Sequence, residues 1–123
     1  CDLSGADLSQ IGHGRLVDAD LRGANLQNAN LKDASLAGAN FSNANLQGAN
    51  LSGAWSLPLV RFKTYFNNAN LSGANLTGFK AGVADFTDAD LTLTNIEEAD
   101  FRNAIFCRTK TPWGIENIGC AGN

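Results

Sequence analysis

The sequence holds no methionine, one histidine, one tyrosine and two prolines in 123 residues. No apolar run approaches the ~20 residues needed to cross a bilayer, and the start does not read as a charged, apolar, small-residue export signal. The chain opens in mid-pattern at Cys1, so its start reads as processed or trimmed. His13 has no second ligand or nucleophile at a useful spacing, and it lies in the glycine-flanked stretch QIGHGR, which reads as a solvated loop. A phosphate-cradling glycine loop, a GxSxG elbow, an HExxH helix, paired CxxC motifs and an EF-hand loop are also missing. The expectation is a protein that is not an enzyme and needs no cofactor or catalytic metal.

Charge excludes a further class. The nine Lys and Arg residues are scattered and the net charge is −3, so no basic stripe is available for the clustered phosphate neutralisation on which nucleic-acid binding depends. The sign of the total favours a basic partner over an acidic one. The carboxylates Asp85, Asp88, Asp90, Glu97, Glu98 and Asp100 form a run without basic residues, read as a solvated collar and not as a calcium site.

What is present is a repeat. Large apolar residues recur every fifth position at Leu16, Leu21, Leu26, Leu31, Leu36, Phe41, Leu46 and Leu51, again at Phe66, Leu71 and Leu76, and from Phe86 to Phe106. Ala stands two residues before most of them, with Asn or Asp between. A period of five fits neither a helix nor a strand. It fits a solenoid whose sides are five residues long, with Leu and the preceding Ala inward and three residues outward.

The spelling A(N/D)LxG, in ANLQN, ANLKD, ANFSN, ANLSG and ADFTD, resembles the pentapeptide-repeat proteins. The resemblance implies an all-β fold, a right-handed quadrilateral β-helix with four pentapeptides to a coil. Five to six coils at ~4.8 Å spacing would make a rod about 25 Å tall. Taken modulo twenty, the sequence places Leu16, Leu36, Ser56, Leu76 and Ile96 in one interior column. Leu21, Phe41, Arg61, Ala81 and Phe101 form the next, followed by Leu26, Leu46, Phe66, Phe86 and Phe106, and by Leu31, Leu51, Leu71 and Leu91. The solenoid spans residues 1–106, irregular at 9–15 and 54–65, with a C-terminal cap over 107–123.

Three departures carry expectations. Near the start the frame slips by three residues between Leu8 and Leu16, which a bulge or corner loop must absorb. In LTGFKAGVADF the large and small positions exchange, so Phe79 should be buried with Ala81 as its small neighbour. In AWSLPLVRFKTYF, from Leu51 to Phe66 is fifteen residues, so the columns should resume in place, with Leu59 recruited to the core and Arg61 released outward because an unpaired buried guanidinium is costly. Trp55, Phe62 and Tyr65 beside Lys63 then form a candidate patch for a protein partner.

An open solenoid end needs covering. Trp113, Ile115 and Ile118 are expected to cover the last coil, and a Cys107–Cys120 disulfide would stabilise the tail by ~3 kcal/mol on the loop-entropy account. Cys1 occupies a small inward position and reads as a buried free thiol, with a lipid-modified N-terminal Cys as the alternative. A disulfide implies an oxidising compartment. The Cys-bracketed tail resembles that of short members from the thylakoid lumen or periplasm of cyanobacteria and plants; a cytoplasmic location is the alternative.

The functional expectation is a monomeric, non-enzymatic structural or protein-interaction module with an unidentified protein partner. The alternative, carried by the resemblance, is a DNA-mimic regulator of DNA gyrase or another basic-surfaced partner. An ice-binding surface is not supported, because the threonines form no full column.

Overall fold

The computed structural model describes residues 2–9 and 16–120. The expectations for Cys1 and His13 fall outside the described residues. Apart from one 3₁₀ turn and a C-terminal hairpin, the described residues form short segments joined by parallel bridges.

One repeat shows how five residues make one side. Leu26 N–H donates to Asn45 O of the next coil at 2.7 Å, and Asn45 N–H returns a bond to Ala24 O at 2.9 Å. Ala29 N–H closes the turn onto Leu26 O at 3.0 Å, while the Asn25 side-chain oxygen accepts from Gln27 N–H at 3.1 Å. Asn and Asp therefore recur because the short side chain completes the corner as an Asx turn. The third turn residue, Asn28, has φ 60°, as a type II turn requires, which explains why Gly, Asn and Asp dominate that position.

The bridges define four outward ladders. They run Asp20–Asn40–Tyr65–Asp85–Ile105, Asp2–Asn25–Asn45–Asn70–Asp90–Lys110, Asp7–Asn30–Asn50–Asn75–Asn95 and Ser35–Trp55–Lys80–Asp100. Each ladder residue is followed by an inward one, so the interior columns are Leu21–Phe41–Phe66–Phe86–Phe106, Leu3–Leu26–Leu46–Leu71–Leu91, Leu8–Leu31–Leu51–Leu76–Ile96 and Leu36–Ser56–Ala81–Phe101. The first two bridges, Asp2 to Asn25 and Asp7 to Asn30, step 23 residues where the next four step 20. Pairing is thus kept on both sides of the three-residue slip; the bulge or corner loop expected there falls on residues 10–15, outside the described residues.

The modulo-twenty columns hold only up to Ser56. Asn40 pairs with Tyr65, Asn45 with Asn70, Asn50 with Asn75 and Trp55 with Lys80, all 25 residues apart, before the step returns to 20. Residues 54–66 therefore contain one repeat more than a coil needs, and every later column is displaced by one face from the expected assignment. The displacement stacks like on like. Phe66 lies on Phe41 with centroids 5.1 Å apart, Phe86 on Phe66 at 4.9 Å and Phe106 on Phe86 at 5.5 Å, all near parallel. Stacked pairs of this kind contribute ~0.5–1.5 kcal/mol each beyond their burial.

Phe79 and Ala81 are both fully buried, in agreement with the large–small exchange. Phe79 meets Phe66 and Phe86 edge-on at 6.3 and 6.5 Å.

At the C-terminal end, β1 (Thr109–Thr111) and β2 (Gly114–Glu116) form an antiparallel hairpin. Lys110 of β1 bridges to Asp90, so the hairpin continues the solenoid ladder and turns Thr109 and Thr111 inward, where both are buried. Thr109 satisfies its hydroxyl on Phe86 O at 2.7 Å. The expectation that Trp113, Ile115 and Ile118 cover the core is corrected: they are 54%, 67% and 63% exposed. Alternation along β1 gives the inward places to the two threonines, and β2 lies beyond it. Cys107 and Cys120 are joined as a disulfide with Cα atoms 4.8 Å apart.

Candidate functional site

The excess repeat is built as an outward loop, residues 57–63, set between two wall segments. Below it, Ser56 is buried in an interior column, and Thr64 is fully buried in the small slot before Phe66. Their hydroxyls meet at 2.6 Å, and the Thr64 hydroxyl donates to Leu36 O at 2.7 Å. This pair seals the base of the loop, so the chain can leave and re-enter the wall without orphaning a buried hydroxyl.

The loop carries a 3₁₀ turn, Val60–Phe62, with no buried residue. Phe62 N–H bonds to Leu59 O at 2.9 Å, and Gly38 N–H of the coil below donates to Phe62 O at 2.8 Å. On the other side, a Cβ at Gly82 would lie 2.5 Å from Leu57 O. Gly82 also has φ 58°, so positive φ moves here from the third to the second residue of the turn. The coil beside the loop is thus shaped around it.

Leu59, expected in the core, is 51% exposed and Val60 is 74% exposed. The core had no vacancy for Leu59, because the loop is surplus to the coil and Ser56 and Thr64 already fill its two inward places. Arg61 is outward, as expected, with its guanidinium 4.9 Å from the Phe62 ring centroid. The Lys63 ammonium lies 6.0 Å from the Tyr65 ring centroid. Of the four patch residues, Trp55, Phe62 and Lys63 are half-buried and Tyr65 is 39% exposed. Trp55 and Tyr65 stand on different ladders that flank the loop.

Sequence reading missed the Ser56–Thr64 pair, Gly82 and Lys80. The signal for the first lay in the spelling. Counting back from Phe66 puts Thr64 in the Ala slot, and counting forward from Ala54 puts Ser56 in the Leu slot, leaving seven residues where a turn has two.

A cleft of about 210 Å³ adjoins the loop, lined by Ser56, Pro58, Lys80, Gly82, Asp100, Arg102 and Asn103. Arg102 forks onto Asp100 with contacts of 3.0 and 2.8 Å. That hydrogen-bonded pairing, with the Arg102 backbone N–H, holds the Asp100 carboxyl down at about 2.

The acidic run is largely committed to structure. Asp85 and Asp90 accept from Thr87 and Thr92, and Asp88 pairs with Arg108 at 2.7 Å. Among the described residues no group of three His, Cys, Asp or Glu is placed to hold a metal. Among those residues, too, no helix is long and apolar enough to cross a membrane.

Comparison with known proteins agrees with this geometry. The family model described as pentapeptide repeats matches residues 15–53 and 69–108 in eight copies. The gap between the two matches contains the loop. A pentapeptide repeat protein from the Arabidopsis thaliana thylakoid lumen is 28% identical with a TM-score of 0.54, covering 98% of this chain and 81% of its own. HetL, a pentapeptide repeat protein involved in heterocyst differentiation regulation in the cyanobacterium Nostoc, is 22% identical with a TM-score of 0.44 over 92% of this chain and 62% of its own. Rfr23 from the cyanobacterium Cyanothece is 33% identical with a TM-score of 0.36 over 76% of this chain and 61% of its own. No curated protein sequence matches the chain.

Proposed function

The chain belongs to the pentapeptide-repeat family, whose structural neighbours imply a right-handed quadrilateral β-helix, and from that premise we propose that it is a non-enzymatic protein-interaction module. The working surface in this reading is the loop of residues 57–63 with Trp55, Phe62, Lys63 and Tyr65. The rod, residues 1–106 in about five to six coils at strand spacing, is the rigid support, and 107–123 closes its end. The protein acts as a monomer that presents the loop to a protein partner.

The observation that carries the reading is that the loop is surplus to the fold. The coil closes through Ser56 and Thr64, and register is kept on either side. The inserted residues nevertheless hold exposed apolar and cationic side chains at one corner. Binding residues commonly sit on loops placed by a rigid scaffold, and Trp, Tyr and Arg are the types that dominate contact energy.

An oxidising compartment, thylakoid lumen or periplasm, is supported by the Cys107–Cys120 disulfide and by the lumenal relative. The test is affinity capture from the source organism with the wild type and a Trp55→Ala, Phe62→Ala, Tyr65→Ala variant. Loss of specific partners from the variant is expected; identical partner lists would end this reading.

A further inference from the structure

We infer that the loop and the adjoining cleft bind an acidic segment of the partner protein, one that carries carboxylates next to a large apolar side chain. The inference rests on the reading of the loop as the interaction face. It runs against the whole-chain charge of −3, which favours a basic partner, because the local charge has the opposite sign.

Residues 54–66 contain Arg61 and Lys63 and no acid. The ion pairs among the described residues use Arg22, Arg102 and Arg108, and none involves Arg61, Lys63 or Lys80. Arg61 and Lys63 lie against aromatic rings instead. Such placement orients a cation while leaving its hydrogen-bond donors open to an incoming carboxylate. Lys80 neighbours Trp55 on the same outward ladder and lines the cleft with Pro58 of the loop. The carboxylate lining that cleft, Asp100, neighbours Lys80 on the ladder and feels its charge, but its two oxygens are forked by Arg102, which leaves the Lys80 ammonium without an ion-pair contact among the described residues.

The cleft's volume, about 210 Å³, is below the ~300 Å³ at which small-molecule pockets begin. It suits one carboxylate side chain seated beside Lys80. Leu59 and Val60, exposed at the loop tip, and the Tyr65 ring supply the apolar contact. Charge complementarity of this kind selects the partner and speeds encounter. It also makes binding sensitive to salt, since Arg61 and Lys80 are exposed.

The test is selection of a random peptide display library on the intact protein, followed by affinity measurement of the enriched peptides. The expected result is peptides of net negative charge with at least one large apolar residue. Lys80→Glu, or Arg61→Glu with Lys63→Glu, should weaken them about tenfold or more, and raised salt should do the same. These positions are on the surface, and unchanged circular dichroism will show that each variant folds. Enrichment of neutral or basic peptides, or affinities indifferent to the charge reversals, would overturn the inference. So would binding to phosphatidylglycerol vesicles without binding to acidic peptides. Partner loss on the Trp55, Phe62, Tyr65 variant combined with any of those results would leave the interaction reading standing and remove only the acidic segment.

Discussion

Excising the loop separates fold from function. Deletion of Leu59–Lys63 with Pro58→Gly leaves Leu57 and the introduced glycine as a two-residue turn between the inward Ser56 and the inward Thr64. Every 25-residue step then becomes 20, and no column moves. Glycine is needed there because the third turn residue has positive φ in the regular repeats, which proline cannot adopt. The bond from Gly38 N–H to Phe62 O is lost. In regular coils, however, the acceptor lies nineteen residues on, as for Gly23 to Ser42 and Asn28 to Gln47, and nineteen on from Gly38 is Leu57, which takes over. What remains is the half-burial of Phe62, worth ~1 kcal/mol on the scale of a fully buried Phe. Against it stands the ordering of five residues, ~1 kcal/mol or more each. The unfolding free energy should therefore stay within about 1 kcal/mol of wild type or rise, read from urea unfolding followed by circular dichroism. Deletion of six residues, Pro58–Lys63, leaves one turn residue and should cost several kcal/mol, because the wall can no longer close in register. The reasoning is refuted if the five-residue deletion loses more than ~3 kcal/mol, or if both deletions are tolerated alike.

Other outcomes follow from single positions. Phe66→Ala removes a fully buried ring stacked on both Phe41 and Phe86 and should cost ~3–5 kcal/mol by denaturation. Leu93 is 83% exposed and held at φ 61°, a conformation costing ~1–2 kcal/mol for most L-residues; Leu93→Asn should raise the melting temperature, while Leu93→Ile should lower it. Asp20 and Asp100 are held down at about 2, each chiefly by the side chain of an arginine two residues on. A carboxyl depressed in the fold favours folding above its unfolded value near 4 and loses that effect as pH falls toward 2. Carboxyl NMR titrations should show both midpoints near 2 and their return toward the ordinary value in Arg22→Gln and Arg102→Gln.

The repeat was legible because each inward position is specified by its own letter, Leu or Phe after a small residue, and the turn by Gly, Asn or Asp. The coil assignment beyond residue 56 was not legible from spacing. An insertion of one whole repeat preserves the period of five while shifting the period of twenty. Side-chain identity held the missing information, since placing Phe66 over Phe41 makes an unbroken aromatic column, whereas the unbroken frame puts Phe66 over Leu46. The fate of Leu59 was misread for the same reason: hydrophobicity alone recruits it, but the coil had no unfilled inward place. At the tail, hydrophobicity alone points to Trp113, Ile115 and Ile118 as the cover of the last coil. The ladder continued through Lys110 and gave the inward positions to Thr109 and Thr111, whose hydroxyls find partners in Phe86 O and Gly114 O.

The same distinction bears on function. A solenoid's repeats stabilise one another through neighbours, so side chains that serve only the rod should obey its letters. Residues 57–63 break those letters, and the hydroxyl pair beneath them makes the break harmless to the wall. Gly82 then accommodates the loop at the cost of an altered turn in the coil above. A loop retained by chance would not need that adjustment, and a loop serving the core would bury Leu59 and Val60. Gly82→Ala tests the point, because the added Cβ must displace Leu57 O and adopt positive φ at a strained position. It should lower stability by ~1–3 kcal/mol in the protein with its loop intact. In the loop-excised protein Leu57 O turns to Gly38 N–H, as the regular coils require, and leaves that corner, so only the cost of positive φ should remain. A smaller penalty there, measured as a double-mutant cycle, shows that Gly82 is fitted to the loop, and an equal penalty shows that it serves only the rod.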